Sequence, residues 1–155
     1  PILQSYHLQN TGDLHTMNQN ISLPSEDFFA IRFLQNQDFF QMDFGGQTYK
    51  IIAKDDVGNF IGTASDGRVI YLDTMYEGDA QGLIYIAKDI ETFVKEIQLY
   101  YQYGETPYPD HPTEEFLETY ETNFSELITA LDTDAFCNEN TFWFTIAEEM
   151  GYGII

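Results

Sequence analysis

Leu83-Ile-Tyr-Ile-Ala-Lys-Asp-Ile-Glu-Thr-Phe-Val-Lys-Glu-Ile-Gln-Leu-Tyr-Tyr101 changes its repeat in mid-course. Up to Ala87 it is a short apolar run of strand length. Beyond Lys88, Ile90, Phe93, Val94, Ile97 and Tyr101 recur at the 3.6-residue spacing that lines one face of a helix. Asp89 precedes the first of them as a candidate cap, and Gly104 follows the last as a stop. The switch at Lys88 divides the chain into a β part before it and an α part after it, which predicts an α+β fold.

Working back from Leu83, the signal from Asp38 is β. Phe40, Met42 and Phe44 alternate up to Gly45-Gly46, a turn, and Tyr49, Ile51 and Ala53 alternate after it. Asn59 to Thr63 and Arg68 to Leu72 flank Ser65-Asp66-Gly67, and an Asp-Gly pair between apolar runs marks a hairpin. No connection is long enough for a helical crossover, so the strands are predicted to form an antiparallel meander. Phe28 to Leu34 is ambiguous. Phe29, Ile31 and Phe33 alternate as in a strand, while Phe28, Ile31 and Leu34 suit a short helix. Residues 1–22 show no periodicity and are read as an irregular arm held by Ile2, Leu3 and Tyr6.

Forward of Gly104, three prolines make Glu105 to Pro112 a loop. Thr113 opens a second helix whose apolar face is Phe116, Leu117, Tyr120, Phe124, Leu127, Ile128 and Leu131. Glu114 and Glu115 stand at its positive N-terminal end. A third helix, about 141–150, takes Asn140 as cap and Gly151 as stop. A length of 155 residues with no low-complexity linker predicts one domain over residues 1–155, carrying additional C-terminal helices.

The chain holds 26 acidic against 6 basic residues, a net charge of -20. With 43% apolar and 16% aromatic residues it is still expected to fold around a ring-rich core. The bases are Arg32, Lys50, Lys54, Arg68, Lys88 and Lys95. From Glu96 onward there are 13 acids and no Lys or Arg. Such a coat either serves solubility or meets a basic partner. Direct nucleic-acid and anionic-membrane binding are disfavoured, because both need cationic side chains. No apolar run reaches spanning length, and the first residues lack the pattern of a secretory signal, so a cytoplasmic protein is expected.

Candidate chemistry is sparse. His7, His15 and His111 have no ligand spacing on one element, and no metal or cofactor is expected. Asp132-Thr-Asp134 begins like a calcium loop, but Phe136, Cys137 and Trp143 occupy positions where ligands and a turn glycine belong. Asp55-Asp56-Val57-Gly58-Asn59 is explained by turn chemistry. Cys137, the single cysteine, has no nearby base in sequence. Glu148 and Glu149 point about 100° apart on a helix, so they do not face one atom. The chain is accordingly not expected to be an enzyme. Tyr100, Tyr101, Tyr103 and Tyr108 are interleaved with Glu105 and Asp110, and tyrosines commonly anchor interfaces. Glu114, Glu118 and Glu121 share one helix face beside them. The partner-binding candidates are therefore Tyr103, Tyr108, Asp110, Glu114, Glu118 and Glu121, with core edge and solvated face as the competing readings.

The order of elements from Ile51-Ile-Ala-Lys-Asp-Asp-Val-Gly-Asn59, through Gly67-Arg-Val-Ile-Tyr-Leu-Asp73, to Ile84-Tyr-Ile-Ala-Lys-Asp-Ile-Glu-Thr-Phe-Val94 resembles the SUKH superfamily, founded on fungal cell-wall regulators of the SMI/KNR type. Asp56, Gly58, Asn59, Asp73 and Phe93 take the family positions. Leu131-Asp-Thr-Asp-Ala-Phe136 with Phe142-Trp143 is similar to the extra C-terminal helix of longer bacterial members. Together these cover about residues 49–150. Leu23-Pro24 fits the family start, but no Asn-Gly follows. The resemblance implies binding rather than catalysis. Bacterial members are commonly cytosolic immunity proteins that block a toxin domain, often a basic nuclease. Fungal members imply the alternative of a regulatory or scaffold domain without a toxin partner.

Overall fold

A computed structural model describes residues 7–9, 18–20, 22–76 and 80–155. Strands β1 (His7–Gln9) and β2 (Asn18–Asn20) pair antiparallel as a two-stranded sheet. This corrects the expectation of a wholly irregular arm. Backbone pairing needs no apolar alternation, so a polar ribbon such as Asn-Gln-Asn leaves no periodic trace. The anchors assigned to Ile2, Leu3 and Tyr6 lie outside the described residues, as does His15.

The main sheet has six antiparallel strands: β3 (Ile31–Phe33), β4 (Phe40–Phe44), β5 (Gln47–Asp55), β6 (Phe60–Thr63), β7 (Val69–Leu72) and β8 (Leu83–Ala87). From β5 to β8 each strand lies beside the next in sequence. The nine-residue β5 is long enough to hold β4 along its first half and β3 along its second, on the same edge. Gly45 and Gly46, at φ 58° and 81°, supply the two left-handed residues that the tight β4–β5 turn needs. A register shift between Ile51 and Ala53 lets β5 feed both faces. Ile51 joins Phe44, Tyr49, Ile70 and Leu72, while Ile52 and Ala53 join the cluster that packs under the helices.

The ambiguous segment is neither a helix nor a strand from its start. Phe28 and Ile31 exchange two backbone hydrogen bonds of 2.9 Å around a two-residue turn, which puts Phe29 at φ 53°. Phe28 is buried among Tyr100, Tyr101, Phe142 and Trp143, and Phe29 stands half out of the surface. A left-handed phenylalanine is strained. The ring of Phe28 fixes the turn by holding its side of the chain in the core.

Helices α1 (Ile90–Tyr103), α2 (Glu114–Leu131) and α3 (Phe142–Gly151) follow the sheet. Asp89 caps α1 by accepting from Thr92 N–H, and Thr113 caps α2 by accepting from Phe116 N–H. The α3 cap is Thr141 rather than Asn140. Its hydroxyl donates to the Ala135 carbonyl at 2.6 Å instead of capping the helix, which ties α3 to the preceding turn. Gly151 is likewise not the stop. It lies in the last turn, and the Glu121 side chain of α2 reaches into the space that a Cβ would take there. The terminating glycine is Gly153, two residues beyond, in a Schellman motif: Gly153 at φ 73°, its N–H on Met150 O and Ile154 N–H on Glu149 O.

Trp143, Phe93, Phe124, Ile97 and Ile128 are fully buried between the helices and the sheet. The result is one α+β unit, a six-stranded antiparallel sheet with three helices after it. Among the described residues no helix is long and apolar enough to cross a membrane.

Candidate functional site

The turn over residues 55–59 is built on Asp55. One oxygen of Asp55 accepts from Val57 N–H at 3.0 Å and Asn59 N–H at 2.8 Å, and the other from the Tyr71 hydroxyl at 2.6 Å. Burial alone would raise its pKa, but these donors together hold the carboxyl below its ordinary range. Burial, then the same hydrogen bond, pushes the Tyr71 phenol up. Asp56 points outward to Arg32 at 2.9 Å. Gly58, at φ 96°, closes the turn. Asn59 donates to Tyr71 Oη at 2.9 Å and accepts from Thr74 N–H and Oγ1, tying the turn to the end of β7. Asp73 accepts from Met75 N–H, and Phe93 has no exposed surface. Within the 55–59 turn it is Asp55 that accepts the backbone and Tyr71 hydrogen bonds, while Asp56 faces solvent and Arg32.

The partner-binding candidates divide. Tyr103 is buried, its hydroxyl donating to Tyr120 O at 2.6 Å, and burial first pushes its pKa up to about 12. It cannot meet a partner. Alternation of Tyr with polar residues suggested exposure, but Tyr103 falls two turns beyond Glu96 and Ile97 on the inner face of α1. Tyr108, Asp110, Glu114 and Glu118 are exposed. Glu121 is half-buried against Gly151. Burial, followed by the charges of Glu148 and Glu118, holds its pKa above the ordinary carboxylate range. The acidic ridge therefore spans two helices, since Glu148 of α3 adds to Glu118 and Glu121 of α2.

Beside that ridge lies an open pocket of about 620 Å³. Tyr100, Tyr101, Tyr108 and Tyr120 line it together with Glu105 and Met150. The Tyr108 ring meets Tyr120 and Phe116 edge-on at 5.2 and 5.3 Å, and Tyr100 meets Tyr101 at 5.6 Å. The tyrosine-rich segment was the signal for this pocket. Tyr120 came from the apolar stripe of α2, where helical spacing marks it as core.

A second polar group in the interior escaped sequence reasoning. Glu96 has no accessible surface, and neither of its carboxyl oxygens has a hydrogen-bond partner. Burial drives its pKa up to about 9. The Trp143 indole N–H, itself without a well-formed hydrogen bond, and Lys88 favour the charged form; Asp132 and Asp89 oppose it. At neutral pH Glu96 is a neutral acid. Asp132, also buried, is fully paired: it accepts from Tyr85 Oη at 2.6 Å, Lys88 N–H at 2.9 Å and Asp134 N–H at 3.0 Å.

Compared with known proteins, the chain matches no family model, no curated protein and no solved structure. Among the described residues, no group of three or more His, Cys, Asp or Glu side chains could hold a metal ion. Cys137 is exposed and free. What the end of α1, the loop after it, α2 and α3 offer is a surface: aromatic, strongly acidic, and without a Lys or Arg beyond Lys95.

Proposed function

We propose that this chain is a SUKH-like immunity protein that binds a basic, nuclease-like toxin domain in the cytoplasm and neutralises it by covering its cationic face, without catalysis. The observation that carries the reading is the separation of charge. All six Lys and Arg lie between residues 32 and 95, whereas α2 and α3 carry Glu114, Glu115, Glu118, Glu121, Glu126, Glu148 and Glu149 with none. Solubility alone does not call for that asymmetry, and it costs stability through self-repulsion. Opposite potentials would speed encounter with a basic protein, and carboxylates can occupy a cleft in place of phosphate. The order of turn, strands and capped helix that resembles the SUKH pattern supports the same reading.

The test is co-purification of the chain with the product of the gene beside its own, followed by association kinetics with Glu114→Lys/Glu118→Lys. Both positions are exposed, so the fold should be retained, as circular dichroism would check. Association is expected to slow about tenfold or more at low salt, with the difference shrinking as salt is added. An unchanged association rate would take α2 out of the interface. Failure of a basic neighbouring product to bind would remove the immunity reading itself.

A further inference from the structure

We infer that the tyrosine-walled pocket between α1, the α1–α2 loop and the end of α3 receives an arginine side chain of the partner. The inference rests on the reading of the helical layer as a surface for a basic protein, and adds the anchor that such a surface needs.

Three properties of the pocket point to a guanidinium. Its walls are ring faces and edges, from Tyr100 and Tyr101 on α1, Tyr108 on the loop and Tyr120 on α2. Flat rings suit a planar, weakly hydrated cation better than a compact ammonium. The charges around it are negative and come from three separate elements: Glu105 on the loop, Glu149 on α3, and Glu26 with Asp27 before β3. Burial mainly holds both phenols above their ordinary range; at Tyr100 the neighbouring Tyr101 and Tyr120 and then Glu149 add to it, and at Tyr101 Glu26 and Asp27 do. Arg32 is spent on Asp56 at 2.9 Å and Asp27 at 4.0 Å, and among the described residues no ion pair reaches Glu105 or Glu149.

The pocket is also held open by the fold. Behind the lining, Tyr103 packs on Tyr120, their rings 4.6 Å apart, and its hydroxyl donates to the Tyr120 carbonyl. Gly153, left-handed and lying against Leu117, turns the chain after α3 close to Tyr108. A long side chain entering here would stack on rings that are already ordered, so little entropy is lost on binding.

The experiment titrates the isotope-labelled full chain with N-acetyl-arginine-N-methylamide, using the citrulline analogue as a neutral control of the same shape, and follows the tyrosine ring signals by NMR. Saturable shifts centred on Tyr100, Tyr101 and Tyr108 with the arginine probe, and none with the citrulline probe, are expected. Affinity should fall about threefold to fivefold in Tyr108→Ala and return in Tyr108→Phe, because the ring rather than the hydroxyl holds the cation. Shifts confined to Glu114 and Glu118 would overturn the pocket while leaving the acidic layer as a binding surface. Equal binding of both probes, or no saturable shift at the rings, would overturn it as well. The wider reading is judged separately, by the association kinetics of the charge-reversed variant.

Discussion

The carboxylates of the sheet and those of the helical layer are put to opposite uses. Around the sheet they are aspartates turned back on the chain. Asp55 accepts three hydrogen bonds, Asp66 binds both the backbone and the guanidinium of Arg68, Asp73 caps a turn and Asp89 caps α1. A short side chain reaches its own neighbouring N–H groups, which is why aspartate serves turns and caps. On α2 and α3 the acids are glutamates with longer stems, and Glu114, Glu118, Glu121 and Glu148 have no hydrogen-bonded or ion-paired partner among the described residues. One set makes the fold. The other is left over by it, and is available to something else.

Glu96 crosses that division, being a helical glutamate in the core, and it should give the largest effect. Its folded pKa of about 9 lies above its unfolded value, so between the two the native state holds one more proton than the unfolded state. Stability is therefore greatest below the unfolded value and falls as pH rises toward 9, by about 1.4 kcal/mol per pH unit. Urea unfolding midpoints from pH 6 to 9 check this. Ordinary carboxylates have finished titrating there, and Glu96→Gln should abolish most of the slope. A slope unchanged in the variant would mean that the acid is ionised or solvated in the native protein.

Asp55 and Asp56 sharpen the sheet side of the comparison. Asp55→Ala removes three hydrogen bonds to a carboxylate and leaves the turn and Tyr71 short of an acceptor, an expected loss of about 2–3 kcal/mol. Asp56→Ala removes one exposed ion pair with Arg32 and should cost less than about 0.5 kcal/mol. Because the folded pKa of Asp55 is depressed, its contribution is present above the unfolded value and is lost as pH falls through the folded one. Equal losses from the two variants would mean that the hydrogen bonds of Asp55 contribute no more than the exposed pair of Asp56.

That pair also shows how far sequence reaches. The helices were legible almost to the residue, because apolar spacing and side-chain caps act locally: 89–103 was expected and Ile90–Tyr103 is found. The meander was legible for the same reason, through Asp66-Gly67 and Gly45-Gly46. Which of two adjacent aspartates folds inward depends instead on where Tyr71 lies, 16 residues away, and nothing local reports that. The Phe29 turn was hidden because an aromatic occupies a position that turn chemistry reserves for Gly or Asn. Glu96 was hidden by its type alone. At about 100° per residue it stands about 60° from Phe93, inside the buried stripe. The acidic ridge was legible on α2, but its extension to Glu148 required the close approach of α3 at Gly151.

Tyr103 and Tyr108 separate fold from surface within the tyrosine cluster. Tyr103→Phe loses the buried hydrogen bond to Tyr120 O and should cost about 1 kcal/mol in thermal or urea unfolding, with no change in partner affinity. Tyr108→Ala should weaken association and also cost about 1 kcal/mol of stability through its lost ring contacts with Tyr120 and Phe116, whereas Tyr108→Phe should keep both. If Tyr103→Phe weakened binding with the fold intact, the buried layer behind the pocket would itself be part of the contact.

The smallest effect tests the comparison most directly, because its sign alone decides. Glu121 is held above its ordinary pKa by burial first and by Glu148 next. Glu148→Gln removes that neighbouring charge, so Glu121 should titrate lower in a carboxyl NMR titration, yet stay above the ordinary value because its burial remains. Between the unfolded and folded values the native state again holds the extra proton, so stability falls as pH rises through that window, and the variant should fall less. At neutral pH the relief of one like-charge contact should stabilise the protein by about 0.2–0.5 kcal/mol, and added salt should shrink the gain. The matched change on the sheet side, Asp66→Asn, should shift stability the other way, because there the carboxylate has donors to lose. If Glu148→Gln destabilised the protein, the glutamates would be holding α3 to α2 rather than repelling across it. The helical layer would then be using its acids as the sheet uses its own, and little would remain of a surface kept free for a partner.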